Sequence, residues 1–368
     1  MIPGPRVGVD VRMWNHTGIG RYIRELWQRL PNLGIDLVPF GPASILSGLD
    51  RRGVELDAPL HSLREQLALT WAIRGKALDL FHAPHVTAPL ASSVPMVATI
   101  HDLIPLHVPV LGPAGKAYFK LMGTRFVPAK ARHLLTVSGF TRDDLISRGV
   151  AADHITVTPL GVDATFGISE PESRRKALRE RLGLAGPYLL HVGQWKPHKN
   201  VGILLQAMAG LVAEGRWLPP LVLLGKPDPR HDLRPLAERL GLSDLLRVIP
   251  GLPDEGDVRA LYQEATAFLF PSRIEGFGLP PLEAMAAGLP VIASTTSAMA
   301  ETLAGACLEA SWDDVVAWKE ALRAVLSDES LRRHLSDQGR ARARRYTWDF
   351  TARLTAEVYR RAAGAPAP

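Results

Sequence analysis

Residues 271–293 read P-S-R-I-E-G-F-G-L-P-P-L-E-A-M-A-A-G-L-P-V-I-A and follow a strand-like apolar run, Ala267 to Phe270. The run enters a turn rich in proline and glycine. A helix is expected from about Leu279 to Ala287, and a second buried strand begins near Pro290. The loop of this β-loop-α-β unit carries Glu275 immediately before Gly276-Phe277-Gly278, and its helix carries Glu283 eight positions later. Glycines let backbone N–H groups come close to a ligand, and the helix start that follows favours anionic oxygens. Carboxylates instead accept hydrogen bonds from hydroxyl groups. Loop and acids together suit a ligand with hydroxyl-bearing ends and a diphosphate between them, as in a nucleotide sugar. Taken singly, Glu283 reads as a solvated helix residue and Glu275 as a polar group stabilised by the helix dipole; only the joint pattern points to a ligand.

The segment E-G-F-G-L-P-P-L-E-A-M-A-A-G-L-P-V-I-A resembles the E-x7-E signature of retaining GT-B glycosyltransferases, especially family four (glycosyl transferases group 1). The resemblance covers nearly the whole chain and is strongest from Tyr188 to Ala293. It implies an α/β fold of the GT-B type, with two doubly wound Rossmann-like domains facing across a cleft. Residues 1–165 would form the acceptor side, 166–346 the nucleotide-sugar side, and 347–368 a helix crossing back to the first domain. It also implies that Glu275 holds hydroxyls of the donor sugar and Glu283 the ribose, with the backbone of Gly276, Phe277, Gly278 and Leu279 facing the diphosphate.

With 368 residues the chain is long for one core and comfortable for two. At 46% hydrophobic and 22% charged residues it has the make-up of a soluble globular enzyme, and no apolar run approaches the ~18 residues that span a bilayer. Met1 to Arg12 lacks the pattern of a secretory signal, and Cys307, the only cysteine, rules out an internal disulfide. A cytoplasmic protein is expected. The formal charge of +6 favours anionic partners such as nucleotide diphosphates or acidic lipid surfaces. Nucleic acid is not expected, since the sequence has no zinc-ligand array, aromatic RNA-binding strand signature or regularly spaced basic block.

In the first half, strands at Arg6 to Val11, Ile35 to Phe40, Leu78 to His82, Met96 to Ile100, His133 to Val137 and Ile155 to Thr158 alternate with helical stretches. That alternation implies parallel sheets with ligands at the carboxyl ends of the strands. Gly18 and Gly20 are read as a glycine loop ahead of the first helix; with Ile23 in place of a third glycine they make no dinucleotide fingerprint. By resemblance this loop borders the interdomain cleft. His82 and His85 follow one strand and are read as loop histidines that pack or line a cleft, since a metal site would need further ligands. His101, in T-I-H-D-L, resembles the family histidine beside the reacting sugar; a plain strand-end histidine tied to Asp102 or backbone is the other reading. Between Lys116 and Arg132, basic residues interleave with Tyr118, Phe119, Leu121, Met122 and Phe126. This is either a solvated face over the core or a basic surface for peripheral contact with an anionic membrane, on its inner face.

A linker is expected near residues 160–187, and the second half starts over with a strand at Tyr188 to Val192. The G-Q-W-K-P-H-K-N step that follows resembles the family's G-x5-K-N motif and implies that Gly193 and Lys199 meet the donor phosphates. Many relatives carry arginine directly after that glycine; Gln194 stands here, leaving Lys196 or Arg273 to complete the clamp. Ile249, Gly251 and Leu252 fall where relatives set backbone against the nucleotide base. A final helix is expected from Trp348 to Arg361, with a frayed tail beyond it.

No two aspartates stand two apart, so the D-x-D motif that holds a cation in transferases of the other major fold is missing, and neither metal nor cofactor is expected. His101, Lys199 and Glu275 are the candidate catalytic residues. The expected reaction is retaining, metal-independent transfer of a hexose from a nucleotide diphosphate sugar to a glycan or lipid-linked acceptor. The resemblance favours mannose, and GDP-mannose over UDP-sugars. A nucleotide-sugar epimerase of the same architecture and a non-catalytic nucleotide-sugar-binding module remain as alternatives. A P-loop NTPase does not, because no Gly-Lys step here continues into Ser or Thr.

Overall fold

A computed structural model describes residues 4–60 and 62–364; the expected tail beyond 364 and the first residues of the expected signal-free start lie outside them. Contacts divide the chain into two units, one comprising Met1–Gly161 with Trp348–Pro368 and the other Val162–Thr347. The expected linker at 160–187 is largely structured. Its helix Glu172–Leu182 packs on the helix Glu255–Glu264 of the second unit.

The first unit holds seven strands: β1 (Arg6–Asp10), β2 (Asp36–Gly41), β3 (Val54–Glu55), β4 (Leu80–Ala83), β5 (Met96–Ile100), β6 (His133–Thr136) and β7 (Ile155–Val157). The second holds β8 (Leu189–Val192), β9 (Leu221–Leu224), β10 (Leu246–Ile249), β11 (Ala267–Phe270), β12 (Val291–Ala293) and β13 (Leu308–Glu309). All pairs are parallel, in the orders β3-β2-β1-β4-β5-β6-β7 and β10-β9-β8-β11-β12-β13. Central strands such as A-F-L-F and L-V-L-L are buried along their whole length, as strands covered by helices on both faces must be. Each sheet runs outward from its first strand in both directions, so each has a switch point, at β1/β4 and at β8/β11. Beyond the carboxyl ends at such a point the two crossovers diverge and leave a crevice.

The final helix, Trp348–Ala363, packs on the first unit against the helix Gly18–Arg29 and strands β4 to β6. It is docked by polar groups as well as by packing. The Tyr359 hydroxyl and His82 Nδ1 lie 2.6 Å apart, His82 Nε2 meets Thr99 Oγ1 at 2.8 Å, and Thr99 meets the Tyr22 hydroxyl at 3.0 Å. His82 therefore lies within β4 and not in a loop; burial pushes its pKa down to about 3, so it stays neutral.

Candidate functional site

The β8/β11 switch point brings together the two stretches singled out in the second half. After β8 the chain forms a single turn, Pro197–Lys199, and Asn200 takes a left-handed conformation (φ 53°) before the helix Gly202–Ala213. After β11 it passes through Ser272, Arg273 and Ile274 to Glu275. Lys199 Nζ and Glu275 Oε1 meet at 2.6 Å although 76 positions separate them, and their side chains are only 15% and 9% exposed. The ammonium also lies 5.3 Å from the centre of the Phe270 ring. Burial, the largest single influence, would raise the Glu275 pKa, but the Lys199 charge and the hydrogen bonds from Lys199 and Ser272 together outweigh it and hold the carboxyl below its ordinary value.

Glu275 is fixed from behind. Its N–H donates to Ser297 Oγ at 2.9 Å, and the Ser297 hydroxyl donates to the Thr296 carbonyl at 2.6 Å. Ser297 sits at φ 58°, ψ −140°, a region that costs a non-glycine residue about 1–3 kcal/mol and is met mostly at functional sites. Gly278 is left-handed (φ 93°), and a Cβ there would come within 2.2 Å of Met299 Sδ, so only glycine fits. The helix Leu279–Ala286 starts immediately after it. Pro280 and Pro281 remove two of the four N–H groups that a helix start leaves unpaired, which limits the donors near this turn. Glu283 is buried and not solvated, and its Oε2 accepts from the Tyr262 hydroxyl at 3.0 Å.

Other expected residues stand less deeply. Arg273 is exposed and lies over the Trp312 ring, 4.8 Å from its centre, while its N–H donates to the His198 carbonyl. Lys196 and Gln194 are exposed. Gly193 follows β8, and Ile249, at the end of β10, accepts from the Gly225 N–H at 2.9 Å, with Gly251 and Leu252 in the loop beyond. Sequence reasoning missed His191 and His198, both buried beside this pair. Desolvation, helped by the Lys199 charge, lowers each to about 4, and His191 Nε2 and His198 Nδ1 have no partner among the described residues. Buried polar atoms are seldom left so. Nothing in residue type or spacing signalled them.

At the β1/β4 switch point of the first unit stand Asp10, His85 and, at the end of β5, His101. His101 Nε2 donates to the Pro84 carbonyl at 3.0 Å, the Tyr22 ring meets the imidazole edge-on at 5.0 Å, and burial lowers its pKa to about 4. Gly18 and Gly20 lie inside the helix Gly18–Arg29, not ahead of it as read from sequence. A Cβ on Gly20 would come within 2.3 Å of the Trp14 carbonyl, so this glycine serves close packing of the preceding turn, while Gly18 has open space around it. No group of three His, Cys, Asp or Glu among the described residues is placed to hold a metal ion.

The profile "Glycosyl transferases group 1" matches residues 174–342, and "Glycosyltransferase Family 4" matches residues 16–166. The O-antigen chain mannosyltransferase B of Escherichia coli is 30% identical over 94% of this chain and 96% of its own. The D-inositol 3-phosphate glycosyltransferase of Xylanimonas cellulosilytica is 31% identical over 90% of this chain and 82% of its own. Among solved structures, Anabaena HepE in complex with UDP and glucose superposes with a TM-score of 0.77 over 96% of this chain and 99% of its own, at 18% identity, a likeness of fold. The chain belongs to the glycosyl transferases group 1 family and has the GT-B fold; it is a glycosyltransferase.

The Lys199–Glu275 pair has a sign that can be tested. Because the folded pKa of Glu275 is depressed, the pair stabilises the protein above the ordinary glutamate range and loses that contribution as pH falls through the folded value. Lys199→Met should strand a buried carboxylate, cost about 3–5 kcal/mol at neutral pH, and raise the Glu275 pKa through burial alone. Its local pH dependence then reverses, with stability falling as pH rises. Denaturant unfolding of both proteins from pH 4 to 8 checks this; parallel pH profiles would contradict it.

Proposed function

We propose that this glycosyltransferase moves a hexosyl group, mannose in the first instance, from a nucleoside diphosphate sugar to a hydroxyl of a glycan or lipid-linked acceptor, with retention of anomeric configuration and without a metal ion. The observation that carries the reading is the buried Lys199–Glu275 pair at the β8/β11 switch point, next to the helix start at Leu279. It puts a cation, a fixed carboxylate and a helix N-terminus in the place where an α/β sheet receives phosphate-bearing ligands. Similarity to an O-antigen mannosyltransferase at 30% identity supports mannose, and with it GDP-mannose as donor.

In this reading the diphosphate draws Lys199 toward its oxygens, assisted by amides between Gly276 and Leu279 and by Arg273. Glu275, released from the lysine, accepts from hydroxyls of the sugar. Glu283, oriented by Tyr262, accepts from the ribose, and the loop Ile249 to Leu252 borders the base. The bond from the anomeric carbon to phosphate oxygen breaks with its electron pair going to phosphate. The acceptor oxygen bonds to the same face, and its proton passes to a leaving phosphate oxygen. Negative charge thus grows where Lys199 stands, which is the charge a preorganised cation stabilises.

Lys199→Ala should lower kcat by ~10²–10³ with a smaller change in KM, the loss typical of one oxyanion donor. Glu283→Ala should weaken free nucleoside diphosphate by about 1.5–3 kcal/mol, whereas Glu275→Ala should spare it and damage turnover. Steady-state kinetics with GDP-mannose in excess chelator, beside calorimetric titration of GDP, reports all three; an unchanged kcat in Lys199→Ala sinks the reading. Peripheral membrane contact is the second part of the proposal. Lys116, Lys120 and Arg125 share their segment with the exposed Leu111, Leu121 and Phe126, a combination suited to an anionic lipid surface that carries the acceptor. The chain should float with anionic but not neutral vesicles, and reversing the three charges should abolish it; equal recovery on both would defeat this part.

A further inference from the structure

The first unit contains a second buried charge cluster, and it stands at that sheet's own switch point. Asp10 ends β1. Its carboxylate receives the Arg12 guanidinium, with Nε 2.9 Å from Oδ1 and Nη2 2.5 Å from Oδ2. The same Nη2 lies 2.7 Å from Glu65 Oε1, and the three side chains are 0%, 5% and 0% exposed. Breaking such a buried pair is costly, yet keeping one contributes little over an apolar replacement, so stability is a poor account of its presence.

What the cluster holds is His85. The ring is buried, its Nε2 is 3.1 Å from Asp10 Oδ2, and its Nδ1 accepts from the Thr87 N–H at 3.2 Å and lies against the Thr87 hydroxyl. A carboxylate only accepts and an amide N–H only donates, so the proton of a neutral His85 sits on Nε2. With both ring nitrogens engaged, the residue's backbone is fixed as well. Its peptide with Pro84 presents the carbonyl that receives His101 Nε2 at 3.0 Å. That carbonyl can only accept, so His101 carries its proton on Nε2 and offers a lone pair at Nδ1. The Tyr22 ring edge and the Thr141 hydroxyl, which donates to the His101 carbonyl at 3.2 Å, hold the ring and its backbone from other elements.

We propose that Arg12, Asp10 and His85 form a positioning network that sets His101 as a hydrogen-bond acceptor at Nδ1, the form that receives a hydroxyl of a sugar substrate. None of the three is a catalytic residue in this account; they act through the Pro84 carbonyl. The proposal rests on the reading of His101 as the group beside the reacting sugar, and the test separates the two.

The full chain labelled with ¹⁵N-histidine, followed by long-range nitrogen–proton correlation near neutral pH, reports the His101 tautomer directly. Wild type should show the Nε2–H form alone. Asp10→Ala and His85→Ala should show mixed tautomers, with kcat lowered at least about tenfold while the donor KM moves much less. Asp10→Asn keeps an acceptor for His85 and should restore the single tautomer and most of kcat. Two results overturn the proposal: a proton on Nδ1 in wild type, which needs no variant to fold, or a pure Nε2–H tautomer in folded Asp10→Ala and His85→Ala. A tautomer that responds while kcat does not upholds the network and removes His101 from the chemistry.

Discussion

A buried ion pair between residues on different crossovers is the constraint on which the second unit's site depends. Lys199 comes after β8 and Glu275 after β11, and because these strands are parallel neighbours at the switch point of the sheet, their side chains meet at 2.6 Å. Neither charge would be tolerated alone at this depth. Desolvation of a single carboxylate or ammonium costs several kcal/mol, and a neighbour of opposite sign is what offsets it. The pair holds the two side chains in place, and in the proposed mechanism the lysine exchanges its carboxylate for a stronger anion. In that proposal the exchange links the fold to the chemistry. A diphosphate carries more charge than one glutamate, and in the proposed mechanism the displaced glutamate is freed for hydroxyl groups.

The first unit repeats the arrangement with other residues. Asp10 ends β1 and His85 follows β4, across the corresponding switch point, and a buried ion pair again anchors a group at the carboxyl edge. In the proposed network the group held in place is the His101 imidazole, kept neutral by burial, where the second unit holds the Lys199 ammonium. Both units thus place a buried ion pair where a parallel sheet leaves a crevice, beside largely apolar cores. Leu204, Leu223 and Leu269 lie in one core, and Phe40, Phe81 and Leu134 in the other.

Much of the architecture was legible in the sequence because parallel sheets write themselves locally. Short fully apolar runs such as Leu221 to Leu224, spaced by helical stretches, admit few other readings, and the two glutamates eight apart on loop and helix singled out the β11 junction. What the sequence could not show was who pairs with whom. Lys199 was read toward phosphate and Glu275 toward sugar, and in the structure they bind each other. Glu283, solvated if judged alone, is buried under Tyr262, 21 positions away. Arg273 rests on Trp312, and the Ser297 backbone lies in a region that its residue type gives no reason to suspect. Gly18 and Gly20 looked like a phosphate loop because glycine spacing records backbone freedom without saying what comes close; at Gly20 it is the Trp14 carbonyl. His82, taken for a loop residue, became part of the seam under the last helix because the strand continues one residue past it.

In the proposed mechanism a diphosphate takes the place of Glu275 at Lys199. A crystal structure of the chain with GDP-mannose bound tests it most directly. The account predicts that Lys199 Nζ leaves Glu275 and lies within hydrogen-bonding distance of a phosphate oxygen, while the Glu275 carboxylate turns to hydroxyls of the sugar. A donor bound elsewhere, or bound here with the 2.6 Å Lys199–Glu275 contact intact, would contradict it.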